Sequence, residues 1–498
     1  MNLALILDLI ADTFGDRTAI TDGDGSLTYA ELRVLARAAA AELTAAESST
    51  LAFADVSSRA VPVAMFGAAW AGASYAPLNF RLPASSLHAQ LARLDAPLAV
   101  AGGVLAGQLG ESVHITPQWL SSLDGITPPE DGYAPAPETP AIVLFTSGSS
   151  GAPKAAVLTH ENLLSYILET VEFGSAEEDE ALVLAAPPFH IAGVAAVLSS
   201  MYSGRRLLAL PAFSAEAWLD LAGRERATHA FLVPTMLARI VHAMENDPTL
   251  GVPTLRSISY GGARMAAPIL ERALELFPDV NFVNAYGLTE TSSTIAVLGP
   301  EDHRLAFTSD EPRHRRRLES VGQPLPGIEV QIIGDDGAPV PIGSSGLVRL
   351  RGAQVGGTYL DTETSLEDGG WLVTGDVGSL DDEGYLFIEG RADDVIIKGG
   401  ENLSPSEIED ALLRHPAVMS VAVVGVADEE WGECVGAAVV VSGTEDAVED
   451  VLREWVRGHL GSLKAPTHIE IVEELPMTAS GKVLRREVRA RFSELHGS

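Results

Sequence analysis

The sequence predicts an α/β protein, with a large N-terminal domain of α/β layers that carries a β-rich subdomain, and a small, mobile α+β C-terminal domain. Three observations predict it. Helical patterns at 28–44 and 61–73 precede a strand at 141–145, and beyond it strand-like runs at 181–186, 206–210 and 229–233 alternate with helix-like segments such as 237–244, as parallel strands covered by helices do. From about residue 324 the texture changes to short strands at 329–333, 346–351 and 385–388, separated by Gly and Asp turns. Beyond residue 393, a helix at 405–414, strands at 418–426 and 435–441 and a helix at 445–460 form a unit of their own. A chain of 498 residues is too long for one hydrophobic core, and we place the domains at 1–391 and 392–498.

In order along the chain, 28–44 carries Leu32, Leu35, Ala36 and Ala39 at helical spacing behind a polar start. The stretch 61–73 is apolar throughout and stops at glycine, which predicts a buried helix, and 75–79 follows as an extended segment. A short strand is expected at 98–100, and the proline-rich 127–140 is a loop. The strand 141–145 then leads into FTSGSSGAPK, Phe145 to Lys154, after which Thr159 and Asn162-Leu163-Leu164 signal a helix start. In open α/β sheets ligands bind in the loops at the carboxyl ends of strands, where this loop lies.

Composition narrows the function. At 46% apolar and 20% charged the chain reads as an ordinary soluble globular protein. A formal net charge of -35 repels a long polyanion, which argues against a nucleic-acid partner. The lone Cys434 allows no intrachain disulfide, the N-terminus has acids where a secretion signal needs basic residues, and no apolar run reaches about 18 residues. A cytoplasmic location without a spanning helix is expected. The one basic cluster, Arg313 to Arg317, reads as a solvated loop, with a ligand phosphate or an anionic membrane surface as the alternatives.

Five stretches carry chemistry. In the loop, Thr146, Ser147, Gly148, Ser149, Ser150, Gly151 and Lys154 supply hydroxyls, close backbone approach and a positive charge, which suits a polyphosphate. It lacks the Gly-Lys-Ser/Thr ending of the common P-loop. Asn284-Ala285-Tyr286-Gly287-Leu288-Thr289-Glu290 sets a ring, a glycine, a hydroxyl and a carboxylate together after a strand. Asp376 follows the strand 371–375, where a carboxylate can accept from a ribose diol. Arg391 and Asp393, then Lys398-Gly399-Gly400-Glu401, combine charge and glycine at the domain boundary, and Ser480-Gly481-Lys482 places a lysine after a turn near the end.

In this order and at these separations, the set resembles the adenylate-forming superfamily of acyl-CoA synthetases, aryl-CoA ligases, peptide-synthetase adenylation domains and luciferases, over about Phe14 to Arg486. The resemblance implies that a carboxylate reacts with ATP to give an acyl-adenylate and pyrophosphate, and that the acyl group then passes to a thiol. On this sequence it implies that Thr146 to Lys154 hold the β- and γ-phosphates, Thr289 meets the α-phosphate and Glu290 binds Mg²⁺. Tyr286 stacks on adenine against Gly261-Gly262-Ala263, Asp376 and Arg391 hold the ribose, and Lys482 bridges substrate carboxylate and α-phosphate. It also implies a rotation of the small domain about Asp393 that swaps Lys482 for the face around Lys398 to Asn402, with Gly400 lining a CoA tunnel.

The acid pocket implied by the resemblance comprises His190, Ile191, Val194, Tyr260, Gly261, Gly262 and Ile295. No acid occurs in 187–198 to pair with a substrate ammonium, so an amino acid is disfavoured. His190 is expected to touch the substrate carboxylate or gate the CoA path. The segment 398–409 looks most like that of fatty-acid-type ligases, which favours a medium- or long-chain fatty acid, with an aromatic acid second. Delivery to a carrier-protein thiol or an amine stays open, as does a monomer or a homodimer. A non-catalytic binding relative is expected to have lost Lys482, Glu290 or Lys154, and all three are present.

Overall fold

The structure is a computed structural model that describes residues 2–127, 135–146, 153–360, 364–428, 431–442, 449–478 and 482–496. Among the described residues two large sheets build the N-terminal domain. The nine-stranded sheet runs Gln323–Pro324, Ser293–Leu298, Asn281–Leu288, Ser257–Gly261, His229–Leu232, Ala181–Leu184, Arg206–Ala209, Thr18–Asp22, Gly25–Thr28. Its strands from Asn281–Leu288 to Thr18–Asp22 are parallel, as the alternating pattern predicts. The seven-stranded sheet runs Thr358–Tyr359, Lys154–Thr159, Pro140–Thr146, Ser74–Pro77, Thr50–Ala54, Pro97–Ala101, His114–Ile115.

The main core lies between these sheets and is filled by the helices Leu3–Phe14, Tyr29–Ala45, Ala60–Ala71 and Ile191–Ser203. Tyr29–Ala45 starts on a capping box, with Thr28 and Glu31 satisfying each other's backbone donors. Ala60–Ala71 is buried from Ala60 to Trp70, so it has no polar face. It can approach Tyr29–Ala45 closely because a Cβ on Gly67 would stand 2.8 Å from the Ala39 Cβ. Gly72 ends it in the left-handed conformation. The helix Leu3–Phe14, not read from the sequence, is amphipathic and buries Leu3, Ile6, Leu7 and Ile10 in the same core.

The β-rich subdomain is an antiparallel sheet of Glu329–Ile333, Gly346–Arg351, Leu372–Leu380 and Leu386–Arg391. In the small domain, Glu401–Leu403, Ile396–Lys398, Gly432–Val441, Val418–Asp428 and His468–Ile471 form one sheet. One of its faces packs Val423, Val435 and Val439 with Ile408, Leu412, Leu452 and Val456, and the other packs Val424 and Ala438 with Val488 and Phe492. This core starts at Ile396, just past Asp393.

One element differs from expectation in a way that matters. Lys154–Thr159 is a strand antiparallel to Pro140–Thr146, with Thr146 opposite Lys154. The described flanks of the Ser/Gly stretch are thus two antiparallel strands, and the helix begins only after the second of them. The helix start at Thr159 stands as expected: Thr159 and Asn162 form a capping box for His160–Thr170. Among the described residues no helix is long and apolar enough to cross a membrane.

Candidate active site

The phosphate-type loop is anchored at both mouths. Thr146 Oγ1 donates to the Lys154 carbonyl at 3.4 Å, and Arg93 Nη1 donates to the Pro153 carbonyl at 2.7 Å. Ser147, Gly148, Ser149, Ser150 and Gly151 lie outside the described residues. Lys154 is exposed, with its ammonium 5.3 Å from the centre of the Tyr359 ring. Tyr359 is there because Thr358–Tyr359 adds to the hairpin, placing it opposite Ala156.

The strand Asn281–Leu288 ends in a tight turn, Thr289–Thr291. Thr291 Oγ1 accepts from the Leu288 N–H at 2.8 Å and donates to the Ser293 carbonyl at 2.7 Å, while Gln354 Nε2 donates to the carbonyls of Thr291 and Thr294. Gly287 is required here, because a Cβ would overlap the Ser293 carbonyl. The turn presents Glu290, whose Oε1 accepts from the Tyr359 hydroxyl at 2.8 Å. Its other oxygen accepts no hydrogen bond from the described residues. Mg²⁺ that travels on a nucleotide keeps water and phosphate oxygens as most of its ligands, so one free carboxylate oxygen fits it.

Beside this turn, Gly261 faces Ala285 across parallel strands so closely that a Cβ would overlap the Ala285 carbonyl. The Tyr286 hydroxyl donates to Asp376 Oδ2 at 2.5 Å, and Arg391 Nη1 donates to Asp376 Oδ1 at 3.2 Å and to the Thr374 carbonyl at 2.8 Å. Asp376 is 6% exposed, and its own N–H is held by Thr374 Oγ1. Burial, and then the neighbouring carboxylate, push the Tyr286 phenol well above its usual range, so it stays a donor. Asn284 turns to the Ser320 carbonyl at 3.2 Å.

Lys482 reaches this site from the small domain. A Cβ on Gly262 would lie 4.0 Å from Lys482 Cε. The ammonium is open to solvent but surrounded by protein in the cleft, and that desolvation pushes its pKa down, while Asp376 and Glu290 push it back up. The closed arrangement is tied by Arg264, which follows Gly262-Ala263. Its guanidinium forms a two-pronged ion pair with Asp410 on the helix Pro405–Leu413 and donates to the Ser406 carbonyl at 3.4 Å.

His190 caps the helix Ile191–Ser203 next to Phe189, and its Nε2 is buried without a hydrogen-bond partner among the described residues. Burial, then Lys482 and Arg81, lower its pKa to about 4, so the imidazole is neutral. Burial is also the largest cause that lowers His160, His229 and His303 to about 4. Unfolding returns each to about 6.5, so between these values the unfolded chain binds more protons. Stability is expected to be intact above about pH 6.5 and to fall as pH drops toward 4. Thermal melts across that range check this, and a flat Tm profile would contradict it.

Several expected site residues are placed elsewhere. The Tyr260 side chain points into the outer core, its hydroxyl 2.8 Å from His303 Nε2, so it offers a pocket only backbone. Val194 is in the core between the sheets, and Ile295 packs with Leu350, Val355 and Leu372; Ile191 is half-buried against the same core as Val194. A cavity near His190 is instead lined by Phe80, Arg81, Pro188, Thr235, Arg239 and, from the small domain, Met477. Lys398 is buried and donates to the Leu463 carbonyl at 3.0 Å, so its ammonium is an internal tie and does not face a ligand. Gly399 and Gly400, with φ of 60° and 86°, form the two-residue turn of the Lys398–Glu401 hairpin, and Glu401 is exposed. A Cβ on Gly399 would strike the Trp431 ring, whereas one on Gly400 meets nothing within 4 Å. Asp393 is exposed in the short turn Ala392–Asp394 between the domains.

The basic cluster is spoken for. Arg313 pairs with Asp382, Arg317 pairs with Glu383 at 2.8 Å and Asp302 at 3.3 Å, and Arg316 lies over the Phe387 ring. It staples a helical segment to an acidic turn, which removes the reason to assign it to a membrane or a CoA phosphate. Arg315→Ala/Arg316→Ala is expected to leave the KM for CoA within about twofold, surface changes being small in effect. Steady-state kinetics with varied CoA checks it.

The comparisons with known proteins agree with this geometry. The AMP-binding enzyme family model matches residues 7–360, and the model of the AMP-binding enzyme C-terminal domain matches 407–482. A feruloyl-CoA synthase of an Amycolatopsis species is 34% identical over 95% of this chain and 96% of its own. A fatty acid–[acyl-carrier-protein] ligase of Streptomyces coeruleorubidus is 33% identical over 86% and 84%, and an indoleacetate–CoA ligase of Aromatoleum aromaticum is 31% identical over 98% and 98%. Among solved structures, an amide bond synthetase of Marinactinospora thermotolerans superposes with a TM-score of 0.84 at 29% identity, covering 98% of this chain and 99% of that one. With a family model that spans most of its length and a relative 34% identical over 95% of it, the chain belongs to the adenylate-forming AMP-binding enzymes, the AMP-forming acid–thiol ligases.

Proposed function

We propose that the chain activates a hydrophobic carboxylic acid, an aromatic one first, as an acyl-adenylate and transfers the acyl group to CoA. The observation that carries this is Lys482 set against Gly262 in a cleft shared with Asp376 and Glu290. The feruloyl- and indoleacetate-activating relatives favour an aromatic acid over the fatty acid that 398–409 suggests, while the fatty acid–carrier-protein relative keeps the fatty acid as the second reading.

In the first step the substrate carboxylate attacks the α-phosphorus of ATP, and the bond to pyrophosphate breaks. The gap between Gly261-Gly262-Ala263 and Tyr286 takes the adenine, and Asp376, with both oxygens already oriented, accepts from the ribose diol while Arg391 steadies it. Thr289 lies at the α-phosphate, and the hairpin from Thr146 to Lys154 takes the leaving pyrophosphate. Glu290 would hold Mg²⁺, which supplies charge neutralisation on the phosphate oxygens when bound. A neutral His190 can donate a hydrogen bond to the carboxylate but brings no charge, so the Lys482 cation carries the work of drawing two anions together. In the second step a thiolate attacks the acyl carbon and AMP leaves. For this the small domain turns about Asp393, and the Lys398–Glu401 hairpin replaces Lys482, with the turn Gly399-Gly400 at the thiol path. Arg81 and Arg239 give the cavity mouth a positive potential that suits an anionic co-substrate.

The test is a pyrophosphate-exchange screen over hydroxycinnamic, indole, fatty and amino acids, repeated with CoA while AMP and thioester are measured. Exchange with aryl acids and CoA-dependent thioester is expected. Exchange without CoA-dependent product moves the acceptor to a carrier protein or an amine, and no exchange with any acid ends the ligase reading.

A further inference from the structure

We propose that Tyr359 is a positioning residue for the adenylation step, its hydroxyl aiming the Glu290 carboxylate while its ring carries the Lys154 ammonium. This rests on the roles proposed above for Glu290 and Lys154. Three contacts converge on this one residue, two through its side chain and one through its backbone. The hydroxyl donates to Glu290 Oε1 at 2.8 Å, the ring centre is 5.3 Å from Lys154 Nζ, and the backbone is in register with Ala156, two residues past Lys154. The turn bearing Glu290 is also tied to the same segment, since the Gly356 N–H donates to the Glu290 carbonyl at 2.7 Å.

The physical content is a division of one carboxylate. Donation to Oε1 restrains the rotation of the group and leaves Oε2, which accepts no hydrogen bond from the described residues, for a hard cation. The phenol acts here as a hydrogen-bond donor to one carboxylate oxygen. The ring takes Lys154 by cation–π attraction, which restrains a long exposed side chain without neutralising it. Cation and carboxylate, 136 residues apart in sequence (290 − 154), are thereby both tied to one side chain.

The two halves of the ring separate experimentally. Titration calorimetry of the full-length enzyme with Mg·ATP, and with ATP in EDTA, is run for the wild type, Tyr359→Phe and Tyr359→Leu. Phe keeps the ring and loses the hydroxyl, so Mg·ATP affinity is expected to fall about tenfold, as for loss of a group that orients a metal ligand, with metal-free ATP affinity unchanged. Leu is expected to weaken metal-free ATP as well. Thermal melts confirm that each variant is folded. Equal loss with and without metal in Tyr359→Phe, or no loss in either, overturns the proposal. Because binding is read directly, a wild type that binds Mg·ATP yet exchanges pyrophosphate with no acid would defeat the ligase reading and leave this test intact.

Discussion

Lys482→Ala is expected to lower ATP–pyrophosphate exchange by about 10²- to 10³-fold, the scale seen when a preorganised charge at a reacting centre is removed. Thioester formation from supplied acyl-adenylate is expected to stay within a few-fold of the wild type. The asymmetry follows from where the side chain sits. Its ammonium is beside Gly262, in a cleft that also holds Asp376 and Glu290, and desolvation there makes it a stronger partner for arriving anions than it would be in water. In the proposed mechanism both anions of the first step need it, whereas the second step would consume a neutral mixed anhydride carbonyl after the small domain turns. Exchange assays and single-turnover thioester assays separate the two, and equal loss in both would falsify the two-arrangement mechanism.

Asp376→Ala is expected to reduce kcat/KM for ATP by about 10²-fold, mostly through KM. Truncation removes more than an acceptor for the ribose. It leaves the Tyr286 hydroxyl and the Arg391 guanidinium without the carboxylate that orients them, and an unpaired buried donor costs about 1–3 kcal/mol. Asp376→Asn keeps the shape and one acceptor, so it should retain more activity than the alanine variant. Initial rates with ATP varied at saturating acid decide this, and an alanine variant with wild-type KM for ATP would remove Asp376 from the nucleotide site.

Much of this was legible because the chemistry concentrates at strand ends, where residue type alone is informative. FTSGSSGAPK, the Tyr286–Glu290 stretch, Asp376 and Lys482 announce hydroxyls, carboxylates and cations at glycine-bearing turns, and helices such as Tyr29–Ala45 announce themselves by spacing and caps. Pairing was not legible. Lys154–Thr159 is short and alanine-containing, and only its partner Pro140–Thr146 makes it a strand. Tyr359 reads as an ordinary aromatic until that hairpin recruits it as the next strand. The direction of Tyr260 was missed because Gly261 beside it faces Ala285, and alternation then sends the ring the other way. Lys398 enters the ligand set through the resemblance alone, and its burial is not legible because its carbonyl partner, Leu463, lies 65 residues away.

The tie between Arg264 and Asp410 has a consequence for turnover. It is partly open to water, with side chains 33% and 17% exposed, and such a pair contributes about 1 kcal/mol at most, roughly a fivefold bias between two arrangements. On the proposed two-step mechanism, such a bias favours the closed cleft while ATP is used and is small enough to be overcome when the small domain turns. Raising the ionic strength is expected to loosen this clasp, because the pair is partly open to water.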